Sequence, residues 1–144
     1  MPEWYVFMAL TLNKQTDYAL QFLAALSKLQ EGESLALSVF AKRGRVSFLF
    51  LQRIVGKLRA ANLVTASKGR SGGYKLALPA DKITVLKVAD ALEGEMAMVP
   101  CLTVNDVSCP HASVCMTRTN FHTINAYIQK YLQSITVADL IKKV

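Results

Sequence analysis

A chain of 144 residues, 52% hydrophobic and 19% charged, has the length for one domain and enough apolar side chain to bury a core, which excludes wholesale disorder. Its longest apolar runs, at residues 6–10 and 47–51, fall far short of the roughly 18 to 20 residues of a membrane-spanning helix. The net charge of +7 is concentrated: ten cations (Lys42, Arg43, Arg45, Arg53, Lys57, Arg59, Lys68, Arg70, Lys75 and Lys82) face Asp81 alone in one stretch, the footprint of a phosphate-backbone binder or of a plain solvated basic face.

In chain order, Met1-Pro2-Glu3-Trp4-Tyr5 carries an acid and no base and does not read as a secretory signal. With an odd number of cysteines arguing against a closed disulfide framework, a cytoplasmic protein is expected. Thr16-Asp17 predicts a helix start, because both side chains can accept from first-turn amides. Leu20, Leu23, Ala24 and Leu29 then recur at helical spacing until Gln30-Glu31-Gly32 ends the pattern. A second start at Ser34 leads into Leu35, Leu37, Val39 and Phe40 and stops at Lys42-Arg43-Gly44.

Ser47 caps a third helix reaching about Ala61, with Leu51, Ile54, Val55 and Leu58 as its buried stripe. Two helices joined by a short turn containing glycine match a helix-turn-helix. A plain helical hairpin fits the periodicity equally well but leaves the cations on and after the second helix unexplained. Residues 64–67 and 73–78 read as strands around Lys68-Gly69-Arg70-Ser71-Gly72, a hairpin with a basic tip, or wing, whose glycines permit positive φ and close approach. A nucleotide phosphate loop is the other reading, but both the Lys-Ser/Thr ending and the dinucleotide fingerprint are missing.

Thr84 caps a short amphipathic helix through Leu86, Val88, Ala89 and Leu92, which Gly94 ends. Residues 95–116 are irregular and hold Pro100, Pro110 and all three cysteines. The last helix starts between Thr117 and Asn120; Phe121, Ile124, Ile128, Tyr131 and Ile135 follow by threes and fours. Such an a/d seam suits a symmetric homodimer contact, or packing on the chain's own core. The expected organisation is an N-terminal extension at 1–9, a winged helix-turn-helix head at 10–94, a cysteine-rich loop at 95–116, and a dimerisation helix and tail at 117–144. The expected class is mostly α with a small β-hairpin.

The cysteines read Cys101-x7-Cys109-x5-Cys115. Three thiolates on one loop suit a soft metal or an iron–sulfur cluster. Free or redox-active thiols are a second possibility, and zinc with His111 as fourth ligand a third, although no cysteine pair has the usual two-to-four-residue zinc spacing. A thiol enzyme would need a base beside its nucleophile; the only histidines, His111 and His122, lie in no nucleophile motif, so no enzyme is expected.

Several motifs together resemble the Rrf2 family of bacterial winged-helix regulators, whose members include the iron–sulfur regulator IscR, the nitric-oxide sensor NsrR and the iron regulator RirA. They are Leu12-Asn13-Lys14-Gln15-Thr16-Asp17-Tyr18-Ala19-Leu20, Ser47-Phe48-Leu49-Phe50-Leu51-Gln52-Arg53-Ile54, Lys57-Leu58-Arg59-Ala60-Ala61-Asn62-Leu63-Val64, the Gly72-Gly73-Tyr74 wing and Ala91-Leu92-Glu93-Gly94. The resemblance spans about residues 10–140. It implies a homodimer on a semi-palindromic operator in double-stranded DNA, with a cluster near the dimer helix. The cysteine spacing is closest to NsrR-like and RirA-like members. In NsrR-like proteins an acidic residue early in the first helix completes the ligand set from the partner subunit; Asp17 stands there, and could equally be a helix cap. IscR-like members carry a histidine ligand three residues after the third cysteine, where this chain has Arg118, so the resemblance implies [4Fe–4S] rather than [2Fe–2S], held by Cys101, Cys109, Cys115 and Asp17.

The function expected is therefore a sequence-specific DNA-binding regulator, a repressor, whose affinity is set by a cluster responding to nitric oxide, oxygen or iron. The alternative is a regulator of the same fold using zinc or free redox-active thiols, or lacking a cluster. Ser47, Phe48, Leu49, Gln52 and Arg53 would face the major groove, Arg43, Arg45, Lys57 and Lys68 the phosphates, and Arg70 the minor groove.

Overall fold

Each element is set as much by a partner far along the chain as by its own periodicity. The computed structural model describes residues 12–68, 72–103 and 109–142. Its elements are α1 (Lys14–Ser27), α2 (Leu37–Gly44), α3 (Phe48–Ala60), β1 (Val64–Ser67), β2 (Gly73–Leu76), α4 (Val85–Glu93), α5 (Arg118–Ser134) and α6 (Val137–Lys142). The expected extension at 1–9 and the wing tip with Arg70 lie outside the described residues.

Helix α1 begins earlier than predicted. Asn13 is its cap, its side-chain oxygen accepting from the Thr16 amide at 3.1 Å. Thr16 is fully buried and its hydroxyl donates to Glu93 Oε1, which also accepts from the Asn13 amide at 2.9 Å. A carboxylate from the end of α4 thus faces the free amides of α1, where negative charge is favoured. Helix α2 begins at Leu37 rather than Ser34 because Leu35 is committed to a β-bridge. Its amide donates to Tyr74 O at 3.0 Å and its carbonyl accepts from Tyr74 N at 2.9 Å. Gly73 makes that crossing possible: a Cβ there would lie 2.5 Å from the backbone carbon and oxygen of Leu35.

Helix α3 follows the sequence pattern closely. The Ser47 side chain accepts from the Phe50 amide, and Leu51, Ile54, Val55 and Leu58 are buried. Asn62, at φ 57°, then turns the chain so that Leu63 N donates to Leu58 O at 3.0 Å, with both leucine side chains fully buried. Strands β1 and β2 pair antiparallel from Val64↔Leu76 to Ser67↔Gly73. Strand β2 ends two residues before the expected boundary, although the Ala77 amide still reaches Leu63 O at 3.0 Å. Thr84 caps α4 through the Lys87 amide, as predicted.

The core is formed where α1, α3 and α4 meet, around Phe22, Leu23, Leu51, Ile54, Leu58 and Val88, all 0% exposed. The C-terminal region corrects the sequence reading. Helix α5 stops at Ser134, and Ile135 is extended, its carbonyl accepting from Val85 N at 2.9 Å. Thr136 bridges Thr84, and Val137 is fully buried at the start of α6. Ile135 therefore lies outside the helical seam, and the expected tail is a short helix returning to the head. Burying a valine there is worth about 1.5 to 3 kcal/mol.

Candidate nucleic-acid interface and cysteine segment

With Leu51, Ile54, Val55 and Leu58 turned inward, α3 presents Leu49, Gln52, Arg53 and Gly56 outward, each exposed and spaced by threes and fours. Leu49 is 68% exposed and Phe48 43%, large values for apolar side chains on a head whose core is otherwise closed. Ser47 is also at the surface, with its hydroxyl oxygen occupied as the cap.

The last turn of α2 carries exposed Lys42 and Arg43, and the link into α3 exposed Arg45. Arg45 sits at φ 51°, in the left-handed region, while Val46 N donates to Ala41 O at 3.0 Å to close the end of α2. A side chain in that conformation costs about 1 kcal/mol relative to glycine. The glycine of the turn, Gly44, is the last residue of α2, so the strained position belongs to a cation. Lys68 is exposed where the described part of the wing ends.

Lys57, expected on phosphate, is exposed and also serves the fold. Its ammonium donates to Gln15 Oε1 and to the Leu92 carbonyl, both at 3.0 Å, tying α3 to the start of α1 and the end of α4. A cation among the last carbonyls of α4 is favoured by the helix dipole. The sequence reading missed this link and the contribution of Glu93. These contacts join residues 35 or more positions apart in the chain, and no local signal marks them.

The proposed cluster ligands are not gathered. Cys101 lies in a single 3-10 turn at Pro100–Leu102 and is half-buried, as is Cys109; Cys115 is exposed. Asp17 is exposed on α1, where its carboxylate accepts from Gln21 Nε2 at 3.1 Å. Among the described residues, no three His, Cys, Asp or Glu side chains lie close enough to share a metal ion. As placed in one subunit, these residues therefore form no ready-made cage for a cluster or for zinc with His111. The Cys115 sulfur lies 3.5 Å from the Thr117 hydroxyl, and that hydrogen bond, followed by the Thr117 amide, draws the thiol pKa below its ordinary value.

Helix α5 is tied to the segment that follows α4 by polar anchors: the Met98 amide donates to Asn125 Oδ1 and Gln129 Nε2 donates to Met96 O, both at 2.8 Å. Of the predicted seam, Ile124 (43%) and Tyr131 (64%) are exposed, whereas Phe121, Ile128 and Ile135 are half-buried. Tyr127, 70% exposed, was missed; it lies three residues from Ile124 and four from Tyr131, so the steps of three and four fit this face as well.

Among the described residues no helix is long and apolar enough to cross a membrane. The Rrf2 family model, described as iron-dependent transcriptional regulator, matches residues 12–143. A Rhizobium meliloti protein, aau3, is 35% identical over 133 residues, covering 91% of this chain and 84% of the relative. The transcriptional regulator NsrR of Oceanobacillus iheyensis is 30% identical over 136 residues, 92% of this chain and 90% of the relative. Among solved structures, CymR, the global cysteine regulator of B. subtilis, superimposes with a TM-score of 0.76 at 26% identity, covering 94% of this chain and 99% of that one.

Proposed function

The chain belongs to the Rrf2 family of transcriptional regulators, and from that premise we propose that it acts in the cytoplasm as a homodimeric repressor controlled through its cysteine segment. The observation that carries the DNA reading is the outward face of α3. A helix that closes the core with one stripe exposes Leu49, Gln52 and Arg53 on the other, beside Lys42, Arg43 and Arg45. Such a helix enters a major groove, where Gln52 and Arg53 offer bidentate base contacts worth about 1 to 3 kcal/mol each. Arg43, Arg45 and Lys68 set the register on phosphates, and Arg70 extends the wing toward the minor groove. Ile124, Tyr127 and Tyr131 on α5, with Phe121 and Ile128 at the edge of the same helix, face a second copy, which sets the half-site spacing.

Control is assigned to residues 95–116. The donor chemistry of Cys101, Cys109 and Cys115 with a partner's carboxylate at Asp17 suits an iron–sulfur cluster, [4Fe–4S] over [2Fe–2S]. This reading is supported by the iron-dependent description of the family model. Bound there, such a group would supply reactivity toward nitric oxide or oxygen. The chain's own part is to close the segment and fix the end of α4, to which Lys57 and Glu93 already fasten α3 and α1. A second reading, control by thiol state alone, is favoured by exposed Cys115 with its acidified sulfur and by the likeness to a cysteine regulator.

Anaerobic purification, an absorbance spectrum and iron and zinc analysis separate the two. A visible band that tracks iron and disappears in Cys101→Ser, Cys109→Ser and Cys115→Ser supports the cluster. Colourless, iron-free protein whose affinity changes when Cys115 is alkylated supports thiol control. In either case operator affinity falls steeply with added salt, as phosphate neutralisation requires.

A further inference from the structure

Helix α3 contains two residues that internal packing does not explain. Leu49 is 68% exposed on the outward face. Seven residues on, about 10 Å along the same face, stands Gly56 in mid-helix. A Cβ at Gly56 would meet nothing within 4 Å, so no neighbour within the molecule excludes a side chain there. Glycine is among the poorest formers of helix interiors, and alanine at this position would stabilise the helix. A clearance that the fold itself does not use points to something approaching from outside. Gln52 and Arg53 lie between the two positions, and the end of α2 with the link that follows carries Lys42, Arg43 and Arg45, so the surroundings favour a polyanion over an apolar protein surface.

We infer that Leu49 reads thymine 5-methyl groups in the major groove and that Gly56 lets α3 lie deep enough to do so. This rests on α3 being the recognition helix and adds the base feature it reads. The thymine methyl is the distinct apolar feature of the major-groove edge, so an exposed leucine among groove-facing polar side chains distinguishes thymine from cytosine at its step. At Gly56 the helix surface is bare backbone, which permits closer approach than any side chain would.

The test begins with random duplexes selected on the full-length protein. The selected site is then resynthesised with each thymine replaced in turn by deoxyuridine, which removes only the methyl. Wild type is expected to lose roughly four-fold in affinity at one or two positions per half-site, the value of one buried methyl-sized group. Leu49→Ala should bind the two versions of those positions equally. Gly56→Ala should melt higher, by about 3 to 5 °C, yet bind the site at least tenfold more weakly.

Indifference of wild type to deoxyuridine at every position, or retention of the discrimination by Leu49→Ala, overturns the methyl assignment. Full affinity in a more stable Gly56→Ala overturns the clearance. If Leu49→Ala instead abolishes self-association and leaves the thymine preference intact, the face belongs to a second copy and the inference fails. Failure to select any duplex would remove the recognition reading itself, an outcome distinct from selection without methyl dependence.

Discussion

The head and α5 are stabilised in opposite ways. In the head, α1, α3 and α4 bury apolar stripes against one another, and their exposed apolar side chains are concentrated at the start of α3. Helix α5 has one buried residue, Asn125, a polar one, and exposes Ile124, Tyr127 and Tyr131. A seventeen-residue helix fastened by amide hydrogen bonds at Asn125 and Gln129, with Phe121 and Ile128 half-buried, buries less apolar side chain than the helices of the head. Most helical stability comes from packing an apolar face, and the exposed face of α5 is the one the proposed second copy would cover.

The contrast can be broken most severely at Gly73. Gly73→Ala drives a methyl into the backbone of Leu35 and should cost about 3 kcal/mol or more, read by denaturant unfolding, with the hairpin detached from the segment before α2. Val137→Ala opens a hole under α1 and should cost about 2 kcal/mol, although its position lies beyond α5 in sequence. Tyr127→Ala with Tyr131→Ala should leave the melting of dilute protein unchanged. The same pair should weaken the proposed self-association at least tenfold in sedimentation experiments, because those rings are largely exposed in one subunit.

Arg45→Gly separates stability from function within the head. Relief of the left-handed φ should stabilise the fold by about 1 kcal/mol, while loss of the guanidinium weakens DNA binding several-fold and flattens its salt dependence. The smallest effect is at Asp90, whose carboxyl is raised above its ordinary pKa, first by burial, against the lowering hydrogen bond from Met96, with Glu95 adding repulsion. A carboxylate raised in the folded state binds more protons folded than unfolded, so its contribution favours folding below the unfolded pKa and turns against it as pH rises through the folded value. Asp90→Asn should therefore melt slightly higher at pH 7, and the gap should close in acid.

What the sequence made legible was whatever depends on neighbours in the chain. Ser47 and Thr84 as caps, the stripe from Leu51 to Leu58, and Gly94 as a stop all follow from spacing alone. The misreadings share one cause. Thr16 looked like a cap, but its hydroxyl is claimed by Glu93. Ser34 looked like a start, but Leu35 is held by Tyr74. Ile135 continued the rhythm of α5, but its carbonyl is taken by Val85 and its neighbour by Thr84. The internal partners of Lys57, Gln15 and Leu92, have no local signature either. The cysteines were legible as chemistry and not as geometry, since spacing cannot say whether three thiols on one segment converge.

The return of α6 has a consequence for how the protein is made. Because Val137 fills a space beneath α1 and Thr136 pairs with Thr84, the domain cannot finish closing while those residues are still inside the ribosome. Until then the nascent polypeptide holds an open seam along its first helix, and chaperones that bind exposed apolar segments would find their target there.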